Sequence, residues 1–358
     1  MAKRTDTKNT SLNSAKKIKN DEFYTQMPDI AREVSRYASQ LRGKVILCNC
    51  DDPYESHFFK YFAMKFNSLG LKKLIATCYT GSPIADTELS LFDHEPIDDK
   101  TTRAPHKIEI VEVEDYDGDG AVNLSDVENL LRNKKNVLTR LKGNGDFRSQ
   151  ECIELLKQAD VVITNPPFSL FKEYVAQLME YDKKFLIIGN MNAITYKEIF
   201  RLIKEDKLWL GYGFANGNAY FKVMPNNANF ADGVYDPETG TVKFRNVHWF
   251  TNLDTTKRHE EMQFYKKYNA REFPKYDNYN AIEVSKLAEI PEDYDGYMGV
   301  PITFLDKYNP NQFEIVWTTD RGGDGMLDWL KKPYHLGYGS GYVNGIKLYK
   351  RIIIRKKG

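Results

Sequence analysis

The sequence predicts an α/β fold: a doubly wound, mostly parallel sheet followed by a smaller C-terminal region. Short, continuous apolar runs alternate with amphipathic helical patterns as far as about residue 213. Such runs are typical of strands that are buried on both faces of a parallel sheet. Beyond that point Gly, Asn, Tyr and Pro are frequent, and short strand-like runs replace most of the helices.

The alternating part contains predicted strands at residues 44–50, 71–79, 107–113, 160–164, 184–189 and 207–212. The predicted helices are residues 28–37, 53–69, 124–132, 149–158, 170–181 and 195–205. The second helix has the fullest signature, with Asp52 as its N-cap, Pro53 at its first position and Glu55 completing a capping box. Gly70 predicts its end. In the later part, residues 219–224, 242–250 and 313–318 are predicted strands, and residues 257–268 are a predicted amphipathic helix.

The 358-residue chain has 41% hydrophobic and 28% charged residues, a composition typical of globular domains. Its apolar runs fall far short of the about 18 residues that a membrane-spanning helix needs. Four cysteines without a CxxC pair argue against a disulfide scaffold and a structural zinc site, and they favour a reducing compartment. We therefore expect a cytoplasmic protein without a membrane partner.

The net charge of +1 hides an uneven distribution. Residues 1–20 carry a net charge of +5, residues 349–358 carry another +5, and the chain between them carries −9. The basic arm at residues 1–20 precedes the first apolar segment, so we expect it to be flexible and suited to phosphate contact. A solvated tail that only aids solubility is the open alternative.

The strongest local signal is Asn165-Pro166-Pro167-Phe168, directly after the predicted strand at residues 160–164. Open α/β sheets bind ligands beyond the carboxyl ends of their strands, which is where this motif falls. Because two prolines fix the loop, the Asn165 side chain and the Pro166 carbonyl are expected to accept hydrogen bonds from one amine. Phe168 is expected to stack on a planar ring. An ordinary turn followed by a core phenylalanine is the alternative.

A second element lies one helix upstream, where Asp146 and Phe147 occupy a glycine-rich turn. An acid followed by an aromatic at a strand end can accept a hydrogen bond from an adenine amine and cover its ring. The pair is weak evidence by itself. Together with the proline motif it favours a site for planar, amine-bearing groups.

These elements resemble the amino-group DNA methyltransferases that use S-adenosylmethionine, in the order cofactor region, NPPF motif and recognition region. Within that group the chain looks like an EcoRI-type adenine-N6 modification methylase. The segments that carry the resemblance are residues 21–26 (DEFYTQ), 48–53 (CNCDDP), 145–149 (GDFRS), 165–168 (NPPF) and 299–306 (GVPITFLD).

The resemblance implies a class I methyltransferase-like domain at residues 21–255 and a target DNA recognition region at residues 256–358. It implies S-adenosylmethionine as the cofactor and duplex DNA as a partner, with a cognate restriction endonuclease acting on the same site without direct contact. The implied catalytic residues are Asn165, Pro166, Pro167 and Phe168, and the implied cofactor-binding residues are Tyr24, Thr25, Asp51, Asp146 and Phe147. Asp51-Asp52-Pro53 replaces the general family's FxGxG loop, and Tyr24 and Thr25 also suit a hydrophobic staple.

The expected reaction is methyl transfer to adenine N6. Because that amine is paired and stacked inside a duplex, the base must be flipped into the site, at a cost of roughly a few kcal/mol. Acceptors at Asn165 and Pro166 would hold both N6 hydrogens and direct the lone pair at the sulfonium methyl. Methylation of an RNA adenine or of a protein glutamine remains an alternative.

Residues 115–126 form a competing motif that fits a DxDxDG calcium loop, with Asp instead of Glu at the twelfth position. Its candidate ligands are Asp115, Asp117, Asp119 and Asp126. A predicted strand precedes the motif where an EF-hand needs a helix, and no second loop pairs with it. We therefore assign no metal, and a calcium-responsive binding protein remains the alternative from another functional class.

Two features of the charge pattern suit DNA once a methyl-transfer site is expected at the centre. The basic ends become candidate phosphate clamps on either side of an acidic cofactor domain. The basic and aromatic stretch at residues 257–279 becomes a candidate DNA face. A solvated helix is the alternative for that stretch.

Deletion of residues 2–19 is expected to weaken duplex DNA binding and to flatten its salt dependence, because a protein that neutralises fewer phosphates releases fewer counterions. The slope of log K against log salt concentration, measured by fluorescence anisotropy, should fall by about 1 for each phosphate that the arm neutralises. An unchanged slope would show that the arm is only a solvated tail.

Overall fold

The computed structural model describes residues 24–50, 56–77, 105–132, 139–222, 234–320, 327–333 and 337–357. The chain divides into two compact units. Unit 1 comprises the residues up to Met191 together with Gly213–Leu253, and unit 2 comprises Asn192–Tyr212 together with the residues from Asp254 onward. No helix in the described ranges is long and apolar enough to cross a membrane.

The helices and strands follow the predicted order closely in the first half of the chain. The α-helices are α1 (Met27–Val34), α2 (Ala38–Leu41), α3 (His57–Met64), α4 (Phe66–Leu69), α5 (Leu124–Arg132), α6 (Gln150–Gln158), α7 (Phe171–Glu180) and α8 (Lys197–Lys204). The strands are β1 (Tyr24–Thr25), β2 (Val45–Cys48), β3 (Lys73–Thr77), β4 (His106–Ile110), β5 (Thr139–Arg140), β6 (Val161–Thr164), β7 (Lys184–Asn190), β8 (Trp209–Leu210), β9 (Ala219–Lys222), β10 (Tyr235–Asp236), β11 (Thr241–Phe244), β12 (Val247–Thr251), β13 (Ile282–Glu283), β14 (Met298–Pro301), β15 (Phe313–Thr318), β16 (Tyr342–Val343), β17 (Ile346–Lys347) and β18 (Arg351–Lys356).

A mixed sheet forms the centre of unit 1, with its strands in the order β5-β4-β3-β2-β6-β7-β12. The central strands β3, β2, β6 and β7 pair in parallel, whereas β4 runs antiparallel to β3 and β12 runs antiparallel to β7. Every residue of β2 and β6 is buried, as continuous apolar runs predict. The large α/β sheet is therefore confirmed, and its outer strands make it mixed.

A smaller antiparallel sheet in unit 1 has the order β1-β9-β11-β10. In β9, Phe221 is fully buried and meets the ring of Phe244 edge to face, with 5.5 Å between centroids. The predicted strand at residues 242–250 is divided between β11 and β12, with Arg245 and Asn246 between them. The prediction of one strand is thus wrong, because these two halves pair in different sheets.

Helix α3 begins later than the sequence predicts. Ser56 is extended, with ψ of 125°, and its side chain accepts a hydrogen bond from the Phe58 backbone N–H at 3.1 Å. Ser56 is therefore the N-cap, and Asp52 lies in residues 51–55, outside the described ranges. At the other end Gly70 is left-handed, with φ of 62°, and ends α4 as predicted.

Helix α7 packs against strand β7 where Phe171 meets Gly189. A Cβ atom at Gly189 would lie 2.4 Å from Phe171 Cε2, so only glycine fits beside this ring. Phe171 is buried and also meets Phe250 of β12 edge to face, with 5.0 Å between centroids. These contacts fix α7 on the sheet.

Unit 2 contains a sheet in the order β13-β14-β18-β15. Strand β18 is interior, with Ile352, Ile353 and Ile354 buried. Arg351 of β18 forms a buried ion pair with Glu283 of β13 at 2.7 Å. The chain's basic C-terminal segment is therefore built into a packed sheet.

The predicted helix at residues 257–268 is wrong. A short 3-10 helix covers Thr256–His259, and the following residues are irregular. Side chains from elsewhere in unit 2 take the backbone N–H groups that a helix would need. The Met262 N–H donates to Gln312 Oε1 at 2.8 Å, and the Tyr268 N–H donates to Asp293 Oδ1 at 2.7 Å.

Replacement of Gly189 by alanine is expected to lower the free energy of unfolding by about 1–3 kcal/mol, because the new Cβ overlaps the buried Phe171 ring. Urea unfolding followed by circular dichroism measures the change. Gly143→Ala is the control, since nothing lies within 4 Å of its added Cβ, and it should change stability by no more than about 0.5 kcal/mol. Equal stability of the two variants would contradict the close packing of α7.

Candidate active site

Polar residues follow the carboxyl ends of the central parallel strands. Asn49 follows β2, Thr77 ends β3 and Asn165 follows β6. Because these strands are parallel neighbours, their carboxyl ends lie at one edge of the sheet. The chain continues from β2 to β3 on one side, and β6 lies on the other side of β2. The strand order thus reverses here, at the kind of switch point where open α/β sheets bind ligands.

The four predicted catalytic residues leave β6 at this switch point. The Asn165 Oδ1 atom is buried, as is Pro166. The Pro167 carbonyl accepts a hydrogen bond from the Leu170 N–H at 3.0 Å, within the 3-10 turn that leads into α7. The Phe168 ring is only 8% exposed, so little of it reaches the surface. The location matches the motif, while contacts of these residues with a base stay a prediction.

Asp146 and Phe147 lie in the turn before α6. Arg148 donates from Nε to Asp146 Oδ1 at 2.8 Å and from Nη2 to Oδ2 at 2.6 Å. These hydrogen bonds lower the pKa of Asp146, so its carboxylate is ionised at neutral pH and acts only as an acceptor. Phe147 is buried, and the Arg148 guanidinium lies 5.2 Å from its ring centroid.

Helix α7 connects this turn to the end of β2. The Tyr174 hydroxyl donates to Asn49 Oδ1, and the Tyr174 ring meets the Phe147 ring edge to face, with 5.0 Å between centroids. One helical turn later, Gln177 Nε2 donates to the Phe147 carbonyl at 3.2 Å. All four residues are buried. Sequence reasoning missed Asn49, Tyr174 and Gln177, although a polar residue after a buried strand was an available signal.

Tyr24 and Thr25 form β1 in the smaller sheet. Thr25 is 3% exposed, and its Oγ1 atom has no hydrogen-bond partner within the described part of the chain. Its carbonyl accepts a hydrogen bond from His57 Nδ1 at 2.7 Å. Burial lowers the pKa of His57, which favours its neutral ring. The cofactor role of β1 stays a prediction, and Asp51 lies outside the described residues.

The calcium-like loop brings carboxylate oxygens of Asp115, Asp117 and Asp126 within 4.8 Å of one another. Asp126 is buried and accepts hydrogen bonds from the backbone N–H groups of Asn123 and Tyr116, which lower its pKa. The loop's acids therefore already bind its own backbone. The spacing can accommodate a cation, and calcium binding stays a prediction.

The candidate DNA face at residues 257–279 is partly neutralised. Arg258 is only 8% exposed, pairs with Asp206 and lies 3.6 Å from the Trp209 ring centroid, so it is a core residue and not a phosphate contact. The exposed cations of this stretch include Lys266 and Lys267, whose carboxylate partners lie at 2.9 and 3.0 Å.

The basic C-terminal segment is also paired. Lys350 bonds to Asp320 at 3.1 Å, and Arg355 bonds to Glu314 at 2.9 Å, in addition to the ion pair of Arg351. The interpretation of this segment as a phosphate clamp is therefore wrong for Arg351, which the sheet buries. For the two exposed pairs, DNA would have to compete with a neighbouring carboxylate.

Comparisons with known proteins bear on the chemistry of this site. The family model described as "Adenine-specific methyltransferase EcoRI" matches residues 11–357. The chain is 45% identical to the type II methyltransferase M.EcoRI of Escherichia coli, over 86% of this chain and 89% of that protein. It is 37% identical to M.MpnI of Mycoplasma pneumoniae and 38% identical to M.MgeORF184P of Mycoplasma genitalium, each over 97% of this chain and 98% of the relative. No solved structure matches the chain. Because the family model spans nearly all of its residues, this protein belongs to the EcoRI family of adenine-specific methyltransferases, enzymes of DNA adenine methylation.

Proposed function

We propose that this protein transfers a methyl group from S-adenosylmethionine to N6 of an adenine flipped out of a specific site in duplex DNA. One observation carries the proposal: neighbouring strands at the switch point present the two halves of such a site. The loop at Asn165 leaves β6, and Tyr174 ties the end of β2 to the turn at Phe147. Family membership supports the reaction class.

The biological setting follows the same proposal. Residues 21–255 form a doubly wound, class I methyltransferase-like domain, and residues 256–358 recognise the target sequence. The relatives' designation as type II methyltransferases supports a role in restriction-modification. A cognate endonuclease would act on the same DNA site without touching this protein, in the cytoplasm.

The residues at this edge suit S-adenosylmethionine, which supplies an electrophilic methyl group when it is bound. The ionised Asp146 can accept a hydrogen bond from an adenine amine, and Phe147 offers an apolar surface to a purine. In β1, the buried Thr25 hydroxyl has hydrogen-bonding capacity that the described residues leave unused. A ligand with both apolar and polar parts would satisfy these groups.

The NPPF loop handles the target amine. Asn165 Oδ1 and the Pro166 carbonyl accept the two N6 hydrogens, which favours a more tetrahedral nitrogen and frees its lone pair for attack. Pro166 and Pro167 have no N–H that could compete for these acceptors. Once the new N–C bond forms, the nitrogen loses one of its hydrogens as a proton, and the loop holds the other.

Incubation of the protein with radiolabelled S-adenosylmethionine tests the reaction class. We expect label in N6-methyladenine of duplex DNA, with none in RNA or in protein. The family gives no support to an RNA adenine, a protein glutamine or a calcium-responsive function. Transfer to RNA or protein in preference to DNA would overturn the proposal.

Asn165→Ala should reduce kcat by about 100-fold or more, because it removes an acceptor used in the transition state. The Kd for S-adenosylmethionine, measured by calorimetry, should change less than about threefold. Asn165→Asp keeps an acceptor oxygen and should retain more activity than the alanine variant. Near-normal turnover by Asn165→Ala would refute the role of this residue.

Asp146→Asn should raise the Kd for S-adenosylmethionine by about 10- to 100-fold, because hydrogen bonds to a charged group contribute about 1.5–3 kcal/mol. Glu154→Gln is the matched control, since it removes one carboxylate from the following helix, where Glu154 pairs with Lys157 at the surface. The control should bind the cofactor normally. Equal affinities of the two variants would exclude Asp146 from the cofactor site.

A further inference from the structure

Three buried side chains outside the predicted set lie where the two halves of the proposed site meet. They are Asn49, at the carboxyl end of β2, and Tyr174 and Gln177, on one face of α7. Tyr174 and Gln177 are three residues apart, so both reach the same neighbouring elements. This shared position assigns them a common task.

Asn49 is held on two sides. Its backbone carbonyl accepts a hydrogen bond from Thr77 Oγ1 at 3.3 Å, which links it to the end of β3. Its side-chain Oδ1 accepts a hydrogen bond from the Tyr174 hydroxyl. With Oδ1 engaged, the remaining hydrogen-bonding capacity of the side chain is its two amide N–H groups. Asn49 is thus preset as a donor.

The same helix holds the turn at Phe147. The Tyr174 ring packs edge to face on the Phe147 ring, and Gln177 donates to the Phe147 carbonyl. Phe171, at the start of α7, anchors the helix against Gly189 of β7. One rigid element therefore sets the position of both Asn49 and Phe147, and its first turn directly follows the NPPF loop.

We propose that Asn49 donates a hydrogen bond to S-adenosylmethionine and that Tyr174 is the positioning residue that orients it. The inference rests on the proposed function and names two residues of that site. The N–H groups of Asn49 suit the carboxylate of the cofactor's amino acid part, because a carboxylate only accepts. Asn49 lies at the carboxyl end of β2, where the chain has no glycine-rich loop.

The first test separates orientation from a purely structural role. Tyr174→Phe should raise the Kd and the KM for S-adenosylmethionine about tenfold, the effect of about one net hydrogen bond, with kcat at saturation within about twofold. Tyr37→Phe is the matched control. Tyr37 is also fully buried, and its hydroxyl donates to Glu33 Oε1 at 3.0 Å in the same unit. This control should be destabilised to a comparable degree in urea and should keep its cofactor affinity.

The second test asks whether Tyr174 acts through Asn49. Asn49→Asp keeps an acceptor for the Tyr174 hydroxyl but lacks amide donors, so it should bind S-adenosylmethionine at least about tenfold more weakly. In an Asn49→Ala background, Tyr174→Phe should not weaken cofactor binding any further. Additive effects of the two substitutions, normal binding by Asn49→Asp, or equal affinities of the Tyr174→Phe and Tyr37→Phe variants would overturn the inference.

Calorimetry on the wild-type protein keeps the two levels of interpretation apart. If the wild type binds no S-adenosylmethionine, the proposed function fails. If it binds the cofactor and methylates DNA while the Asn49 and Tyr174 variants behave like the control, the function stands and this inference alone fails.

Discussion

The burial of four parallel strands, β3-β2-β6-β7, is the constraint on which the rest of unit 1 depends. Because their side chains are buried, polar functions are confined to the strand ends. At the start of β2, the Val45 N–H donates to Asp160 Oδ2 at 2.8 Å, and the Asp160 N–H donates to the Val45 carbonyl at 2.9 Å. This reciprocal pair sets β6 beside β2. At the far end, the same pairing brings the segments after Cys48 and Thr164 to one edge.

Helix α7 converts that edge into a connected site. Its first residue, Phe171, packs on Gly189, where any larger residue would collide with the ring. Its next two turns hold Asn49 through Tyr174 and the Phe147 turn through Tyr174 and Gln177. A displacement of α7 would therefore move the NPPF loop and the proposed cofactor residues together, which couples the two halves of the reaction through one buried helix.

Charge has a different meaning in the fold than in the sequence. The sequence shows two basic ends, but only the tertiary structure shows that Arg351 is buried against Glu283 and that Arg258 is buried against Asp206. A cation that is paired inside a unit contributes little to DNA attraction, because its field is largely cancelled by its partner. Attraction for phosphate therefore depends on cations outside these pairs, among which the arm at residues 1–20 remains a candidate.

The sequence by itself determined the central strands, the NPPF position and most helices, including α5 at its observed bounds, because local periodicity and turn chemistry encode them. Only the tertiary structure decided three features. Residues 257–268 are not helical, since distant side chains bind their backbone. The run at residues 242–250 divides between two sheets. Asn49 meets Tyr174 across 125 positions of sequence. Such contacts depend on packing between remote segments, which no local pattern specifies.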